Sequence, residues 1–251
     1  MFEPVHKQSL SDAVFEQLRD KIVSGEMEAG AKLPSERVLC EMLGVNRGAV
    51  REALKRLEQA RLVSIQHGGA TRILEWQNSA GLDLMTSMLF ASDGQVHYAA
   101  ARSVVEMRSA IAPDIARLAA ARGGERAADA LDLLAAQMRG AGGDLAQVQT
   151  LALAYWGQLA AASGNLAYRL VYNTLRESYQ KFQGLLTHVL AEEYRDAEAY
   201  ADIADAVREG DSARAEQIAR QLIRTGEQAI LNILSALEQT QALDEDRGGE
   251  S

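Results

Sequence analysis

The sequence is poor in cysteine, proline and aromatic residues, and each shortage excludes a class of structure. The single Cys40 in 251 residues excludes a disulfide framework and a zinc site built from several cysteines. Three prolines and an aromatic content of 5%, with frequent alanine and leucine, favour helices over strands. No uncharged apolar run reaches the roughly 20 residues that span a bilayer, and MFEPVHKQSL contains no apolar signal core. We therefore expect a mainly helical, cytoplasmic protein.

Acidic residues outnumber basic ones, for a formal charge of −9, but the excess is unevenly distributed. Residues 1–74 contain 11 Lys and Arg against 10 Asp and Glu, whereas the remaining 177 residues contain 15 against 25. Between 37 and 72 there are seven basic residues and three acidic ones. Such an island is typical of a phosphate-binding surface. A solvated helix face of mixed charge is the alternative, and the residue pattern has to decide between them.

The first 74 residues show three helical patterns followed by a hairpin pattern. Apolar residues recur at helical spacing in three stretches: 8–24, 35–44 and 46–60. Ser35 and Asn46 are N-cap candidates, and Gly44 is placed to end the second helix. The segments LVSIQ and TRIL then alternate apolar and polar residues on either side of HGGA, which predicts two strands and a turn. This order is that of a winged helix-turn-helix.

From Trp76 onward the sequence shows no strand pattern. Short glycine-rich turns divide it into helices of roughly 15–28 residues, which suit an antiparallel bundle. The predicted fold is therefore mainly α, with an N-terminal winged helix-turn-helix and a C-terminal all-helical antiparallel bundle. We predict a DNA-binding domain in 1–75, an effector-binding and dimerisation domain in 76–238, and a flexible polar tail in 239–251.

Arginines at the start of the predicted second helix-turn-helix helix are the strongest candidates for DNA contacts. The N-terminal residues of that helix enter the major groove, and Arg47 and Arg51 lie one turn apart on one face. Arginine has the paired donors that match guanine O6 and N7. Gly48 lies between them, and we interpret it as allowing a close approach of the backbone to DNA. Arg37, at the start of the preceding helix, is expected to reach the same groove or its phosphates.

The hairpin tip is a second candidate for DNA contact. His67 and Gly68 would enter the minor groove, where a small turn and a polar ring fit. Taken alone, His67 could equally be an exposed loop histidine. Lys55 and Arg56 lie further along the reading helix and are expected to touch phosphate or solvent.

The stretch LPSERVLCEMLGVNRGAVREALKRLEQARLVSIQHGG resembles the winged helix-turn-helix of the GntR superfamily of bacterial transcription regulators. The resemblance covers 8–74, and it implies DNA contacts at these positions: Arg37, Arg47, Arg51, His67 and Gly68. Asn46 and Gly48 lie in the same motif, at positions where relatives often have threonine or another hydroxyl residue. This departure leaves the operator sequence open but not the binding, and Asn46 and Gly48 are included among the DNA-binding candidates.

The C-terminal part resembles the helical effector domain of the FadR subfamily, on the segments VEMRSAIAP, LALAYWGQLAAASGN and AVREGDSARAEQIARQL. Many members of this subfamily hold a divalent metal with one aspartate and three histidines, a set that suits zinc or a similar ion. The matching positions here are Ala152, Trp156, Tyr200 and Leu222. The resemblance therefore implies a pocket without a metal or other cofactor.

Without a metal, we expect a pocket that suits a hydrophobic ligand. Its candidate residues are Arg108, Trp156, Tyr172, Tyr179, Tyr200 and Gly226. The alternative for the aromatics is that they are core residues, and Arg108 could form a core salt bridge instead of binding a ligand anion. The segment IQHGGATRILEWQNSAGLDLMTSM resembles metal-free, fatty-acid-responsive members, which implies long-chain acyl-CoA as effector. Ile223 and Ile230 depart from the pattern of those members. This departure weakens the prediction of acyl-CoA in particular more than the prediction of a hydrophobic ligand in general.

We expect a ligand-responsive transcription regulator that binds a palindromic operator as a homodimer and is released by a fatty acyl-CoA. The alternative ligand is another hydrophobic or carboxylate metabolite, and repression and activation both stay open. An enzyme is not expected, because no nucleophile–base pairing, phosphate-binding glycine loop or metal set is present in the sequence. An architectural DNA-binding protein without an effector would not need so large a bundle.

Overall fold

The computed structural model describes residues 9–66, 70–92, 95–181 and 183–248. Its first elements are α1 Leu10–Val23, α2 Glu36–Leu43, α3 Arg47–Gln59, β1 Val63–Ser64, β2 Arg72–Ile73, α4 Trp76–Ser79 and α5 Leu82–Met88. The two strands pair antiparallel. Three helices and a hairpin in this order form the winged helix-turn-helix that the sequence predicts.

Side-chain caps and a glycine set the ends of the helices in the helix-turn-helix. The Ser35 hydroxyl accepts a hydrogen bond from the backbone N of Val38 at 3.4 Å, and Asn46 Oδ1 accepts one from the backbone N of Ala49 at 2.9 Å. Gly44 ends α2 with a φ of 64°, the left-handed conformation that glycine adopts without steric cost. The three predicted roles are confirmed, and α3 begins directly after a short turn.

One apolar core joins α1, α3 and the hairpin. Its most buried side chains include Leu18, Val50, Leu57, Leu62 and Ile73. Val63 pairs with Ile73 and both are buried, whereas the next pair, Ser64 and Arg72, is partly or fully exposed. The alternation that predicted the strands therefore separates core from solvent, although each strand is only two residues long.

The chain divides into two units, the first ending at His97 and the second beginning at Tyr98. Within the first unit, the segment after α5 is tied to α1: Arg19 Nη2 donates to the Phe90 carbonyl at 3.1 Å, and the backbone N of Ser92 donates to Asp20 Oδ2 at 2.6 Å. Phe90 and Ser92 therefore lie against α1 of the winged helix. The domain boundary after residue 75 stays a prediction from the sequence.

The second unit is built from helices throughout its described residues. They are α6 Tyr98–Arg122, α7 Gly124–Gly140, α8 Leu145–Ala162, α9 Leu166–Lys181, α10 Gln183–Val189, α11 Ala191–Arg195, α12 Ala197–Glu209 and α13 Ser212–Gly248. Helix α6 packs mainly against α13, and α7 packs against α12 and α8. Fully buried alanines include Ala116, Ala119, Ala128, Ala204 and Ala215. Such small side chains let helix axes approach closely. The all-helical C-terminal domain is confirmed.

Helix α13 is 37 residues long and continues to Gly248, into the segment 239–251 assigned to a flexible tail. Within that stretch, QTQALDEDRG includes glutamine, alanine, leucine and glutamate, which have high helix propensity. Fraying of this end in solution stays a prediction. None of the described helices has both the length and the apolar character that crossing a membrane requires.

Candidate nucleic-acid interface and effector cavity

Five of the residues predicted to contact DNA lie at the beginnings of α2 and α3. Arg37 is in the first turn of α2, Asn46 caps α3, and Arg47, Gly48 and Arg51 follow within the first turns of α3. All five are exposed. The structure therefore brings together, on neighbouring helix starts, the side chains that the motif predicts. We call these five residues the reading surface.

The three arginines of the reading surface differ in their partners. Arg37 Nη1 lies 2.6 Å from Glu41 Oε1, and Arg51 Nε lies 2.8 Å from Glu36 Oε2, which links α3 to α2. Arg47 has no ion pair among the residues that the structure describes. Exposed pairs contribute at most about 1 kcal/mol. The anionic groups of DNA can therefore replace either carboxylate at low cost.

Asn46 and Gly48 together shape the N-terminus of α3. The cap uses Asn46 Oδ1, so the side-chain NH2 group keeps its donors for a base or a phosphate. A Cβ added at Gly48 would lie 3.2 Å from Asn46 Oδ1, closer than most real Cβ contacts. Glycine at 48 therefore leaves room for the cap, which is a second reason for its presence besides the predicted approach to DNA.

The wing is described on its strands but not at its tip. Strands β1 and β2 are both in place. The predicted minor-groove residues His67 and Gly68 lie outside the described residues, so their contacts stay predictions.

Arg56 has an internal role that the sequence interpretation missed. It was expected to touch phosphate or solvent, but it forms an ion pair with Asp12 of α1, and its guanidinium carbon lies 4.3 Å from the ring centre of Phe15. The hydrogen bond from Ser9 and, after it, the interaction with Arg56 hold the pKa of Asp12 below its usual value. Arg56 thus ties the reading helix α3 to α1.

The bundle contains a cavity that four of the six predicted effector residues line: Arg108, Trp156, Tyr172 and Tyr179. The rest of its wall is mostly apolar and includes Ile111, Ile115, Leu153, Leu175 and Ile223. Apolar walls with a few polar groups are typical of ligand sites. About 50 Å³ is open to water-sized molecules, which is room for a few waters. We call this space the bundle cavity.

A buried ion pair forms one side of the bundle cavity. Arg108 Nη2 donates to Glu193 Oε1, and the two side chains are 9% and 1% exposed. The Arg108 guanidinium carbon also lies 5.9 Å from the ring centre of Tyr179. Burial lowers the pKa of Arg108, but the nearby Glu193 carboxylate has the larger combined effect and raises it. Burial raises the pKa of Glu193, and the Arg108 guanidinium only partly opposes this shift. Within the described residues, Arg108 Nη1 and Glu193 Oε2 have no hydrogen-bond partner.

Gly226 does not line the bundle cavity but lies behind this ion pair. A Cβ at 226 would overlap Glu193 Oε2 and would lie 2.7 Å from Leu190 Cδ2, a distance that real Cβ atoms essentially never show. Helix α13 therefore needs a glycine where the Glu193 carboxylate passes. The structure places Gly226 next to Glu193, and its predicted contact with the effector stays a prediction.

Tyr200 also lies outside the cavity wall. It is fully buried, its ring packs edge-on against Tyr155 at 4.8 Å between centres, and Tyr155 OH donates to the Tyr200 carbonyl at 2.6 Å. Burial raises the pKa of Tyr200. Neither Tyr200 OH nor Trp156 Nε1 forms a well-aligned hydrogen bond among the described residues. Tyr200 thus packs as a core residue, the alternative that the sequence left open.

A more polar groove between α8 and α9 adjoins the bundle cavity. It leaves about 410 Å³ for water-sized molecules and shares Leu153, Tyr172, Arg176 and Tyr179 with the cavity wall. Tyr172 OH donates to the Leu153 carbonyl, and burial raises the pKa of Tyr172 to about 12. Arg169 also lines the groove, while Arg176 has no ion pair in the described part of the chain. We call this space the outer groove.

The four positions that match the metal ligands of the subfamily are all buried: Ala152, Trp156, Tyr200 and Leu222. Only Tyr200 among them carries a side-chain oxygen. Nowhere in the described ranges do three or more His, Cys, Asp or Glu side chains form a group that could hold a metal. The residues present do not fit a subfamily-type metal, and a metal-free pocket stays our prediction.

Glu193 and Arg176 both line the bundle cavity and were not predicted from the sequence, and Glu193 is the buried one of the two. In the run AEEYR, two adjacent glutamates look like a solvated helix face. The available signal was the spacing of Leu190, Glu193, Tyr194 and Ala197, all buried, which puts Glu193 on the apolar side of α11. Glu192, its neighbour, is exposed.

The sequence matches the family model described as bacterial regulatory proteins, gntR family, over residues 10–73, and the FCD domain over 103–225. The HTH-type transcriptional regulator Mce2R of Mycobacterium tuberculosis is 34% identical over 234 residues, 92% of this chain and 96% of that protein. The fatty acid metabolism regulator protein of Yersinia enterocolitica is 28% identical over 177 residues, 70% of this chain and 72% of that protein.

The solved structure of Lar, which controls the expression of the Listeria monocytogenes agr system, is 15% identical and has a TM-score of 0.56. The match covers 91% of this chain and 99% of Lar, and at that identity it supports the fold alone. The resemblance inferred from the reading motif and the bundle segments is confirmed. With its helix-turn-helix and FCD domain matched in order, the chain belongs to the gntR family of bacterial transcription regulators.

Proposed function

We propose that this regulator binds a palindromic operator as a homodimer and that a long-chain acyl-CoA, or a related hydrophobic thioester, releases it from DNA. One reading surface covers only a few base pairs, and a two-fold dimer on a palindrome multiplies specificity. The exposed arginines of the reading surface are the side chains that would contact base edges and phosphates. Control of fatty-acid metabolism is the physiological role that this ligand implies.

The observation that carries the ligand proposal is an apolar cavity in the bundle that adjoins a groove containing two arginines. The acyl chain would occupy the apolar part, while Arg169 and Arg176 in the outer groove would meet the phosphates of the CoA headgroup. The relation to the Yersinia fatty acid metabolism regulator protein, at 28% identity, supports the same ligand class.

The size of the bundle cavity links ligand binding to a change of shape. An acyl chain does not fit in about 50 Å³, so the bundle must open to admit it. The hydrogen bond from Tyr172 of α9 to the Leu153 carbonyl of α8 closes the wall between cavity and groove. Separation of α8 and α9 is therefore the motion that we expect on binding. The ligand lowers operator affinity only if it binds the DNA-free conformation more tightly.

A smaller hydrophobic metabolite is the second candidate. Ile223 lines the cavity and occupies space where the resemblance to fatty-acid-responsive members implies a glycine. A compact ligand would need less opening of the bundle than an acyl chain. No metal would take part in binding either ligand.

The test measures operator affinity with and without ligand. An operator is first selected from random-sequence DNA with the purified protein, and its affinity is measured by fluorescence anisotropy. We expect saturating palmitoyl-CoA to raise the operator Kd by about tenfold, within the usual range of coupling free energies, and CoA alone to leave it unchanged. Equal Kd with and without palmitoyl-CoA would contradict the acyl-CoA proposal. Failure to enrich any palindrome would contradict the proposed mode of DNA binding.

A further inference from the structure

The cation of the bundle cavity already has a counterion inside the protein. Arg108 and Glu193 are hydrogen-bonded to each other at 9% and 1% exposure, so water screens neither of them. A ligand that enters the cavity therefore meets a neutral pair and not a free positive charge. The energetics of ligand choice follow from this, because a buried charge without compensation is strongly unfavourable.

Each partner of the pair keeps one polar atom unused. Arg108 Nη1 is a donor and Glu193 Oε2 an acceptor; both are buried, and neither has a hydrogen-bond partner within the described residues. Unpaired buried polar atoms are rare in folded proteins and call for an explanation. Both residues line the bundle cavity, so a ligand there can supply the missing hydrogen bond to Arg108.

The position of Glu193 is built into the bundle. Its carboxylate passes α13 at Gly226, where a Cβ would overlap Oε2 and would also lie 2.7 Å from Leu190 Cδ2. Moving Glu193 away from Arg108 would leave a buried carboxylate without its cation. Arg176 is the other cation of the cavity wall, and it lies at the side shared with the outer groove.

We propose that the bundle cavity selects a ligand whose polar group at Arg108 is uncharged and accepts a hydrogen bond, and that Glu193 enforces this choice by pairing with Arg108. A carbonyl of an amide, ester or thioester meets the requirement, because it can accept from Arg108 Nη1 without adding charge. A carboxylate does not, since two anions would then share one buried guanidinium. An anionic group elsewhere on the ligand belongs at Arg176. This inference deepens the proposed function and rests on its use of the cavity as the effector site.

The experiment compares two probes of the same chain length and similar shape, the anionic octanoate and the uncharged octanamide, by isothermal titration calorimetry near neutral pH. The wild-type protein is expected to bind octanamide about tenfold more tightly than octanoate, because the carboxylate of octanoate would be a second buried anion at one guanidinium. In Glu193→Gln, which keeps the shape but frees the charge of Arg108, octanoate is expected to become the tighter ligand. Glu192→Gln removes the same charge from the exposed neighbouring residue and is expected to keep the wild-type preference.

Tighter binding of octanoate to the wild-type protein would overturn the inference, as would an unchanged preference in a folded Glu193→Gln. Binding of neither probe to any form would overturn it too. The wild-type comparison alone decides the matter if Glu193→Gln does not fold. A preference for octanamide without operator release by palmitoyl-CoA would leave this inference standing and remove the acyl-CoA proposal. Operator release by palmitoyl-CoA without a preference for octanamide would remove this inference and leave the acyl-CoA proposal standing.

Discussion

The reading surface and the bundle cavity use arginine in opposite ways. Arg51 is 63% exposed and its partner Glu36 40% exposed, so water competes with the pair at all times. Arg108 is 9% exposed, and its partner Glu193 is almost fully buried. An exposed pair contributes little and exchanges partners readily, whereas a buried pair is costly to break once formed. The first arrangement suits a protein that must bind and leave DNA, and the second holds one internal geometry.

Two glycines show the same contrast. Gly48 leaves room for Asn46 Oδ1, which a Cβ would approach to 3.2 Å, so a shift of a few tenths of an ångström could relieve the contact. Gly226 leaves room for Glu193 Oε2, which a Cβ would overlap, with Leu190 Cδ2 also within 2.7 Å. The start of α3 would need only a small adjustment, whereas the buried ends of Glu193 and Leu190 would have to move farther in a close-packed bundle.

The largest effect is expected from breaking the buried pair. Arg108→Met leaves the Glu193 carboxylate buried without a partner, which typically costs about 3–5 kcal/mol in the free energy of unfolding. Replacing both residues, in Arg108→Met with Glu193→Met, removes the stranded charge and should recover most of that loss. Urea unfolding followed by circular dichroism gives both values.

The matched control for this prediction is Arg220→Met. Arg220 is 61% exposed and pairs with Glu216 on α13, so its replacement should cost no more than about 1 kcal/mol. If Arg108→Met were no more destabilising than Arg220→Met, the contrast between buried and exposed arginines would fail. If the double variant were as unstable as Arg108→Met, packing and not charge would explain the loss.

Local rules were enough to predict the helix ends of the helix-turn-helix and the strands of the hairpin. The caps at Ser35 and Asn46 and the left-handed Gly44 depend on residues within four positions of each other, so the sequence carries that information directly. The alternation of the hairpin likewise reports which side chains face the core. The exposed arginines at the start of α3 followed from the same reading, because helix direction and face are local properties.

The cavity was only partly predictable because its key contacts join distant segments. Arg108 and Glu193 are 85 residues apart, and the need for glycine at 226 appears only when α11 and α13 are placed together. Tyr200 and Trp156 are both aromatic in the sequence, but only packing separates a core ring from a wall ring. The ion pair between Arg56 and Asp12 was not predicted for the same reason, since the two residues are 44 positions apart in the chain.

A moderate effect is expected at Arg47, which sharpens the claim that the reading surface contacts bases. Arg47→Ala should weaken operator binding by about 1–3 kcal/mol, the value of a good base contact, because Arg47 is exposed and has no ion-pair partner to lose among the described residues. Binding to random DNA should change much less. Anisotropy titrations on both DNAs measure the difference, with Arg220→Ala as the control of equal charge. A similar loss on both DNAs would assign Arg47 to phosphate instead.

The smallest effect is expected from Glu36→Gln, which tests whether the exposed carboxylates compete with DNA. Arg51 must leave Glu36, at 2.8 Å, to bind a base or phosphate, so removing that charge should strengthen operator binding by about two- to fivefold, consistent with a pair of at most about 1 kcal/mol. Stability should fall only by a few tenths of a kcal/mol, since an acidic residue at a helix start is mildly favourable.

Glu52→Gln is the control: Glu52 is exposed on the same helix as Arg51, and no ion pair is described for it. An equal gain in both variants would mean that net charge alone sets the affinity. A gain specific to Glu36→Gln would mean that Glu36 competes with DNA for Arg51. The exposed pair would then exchange its anion on binding, whereas Arg108 in the bundle cavity keeps Glu193 as its partner.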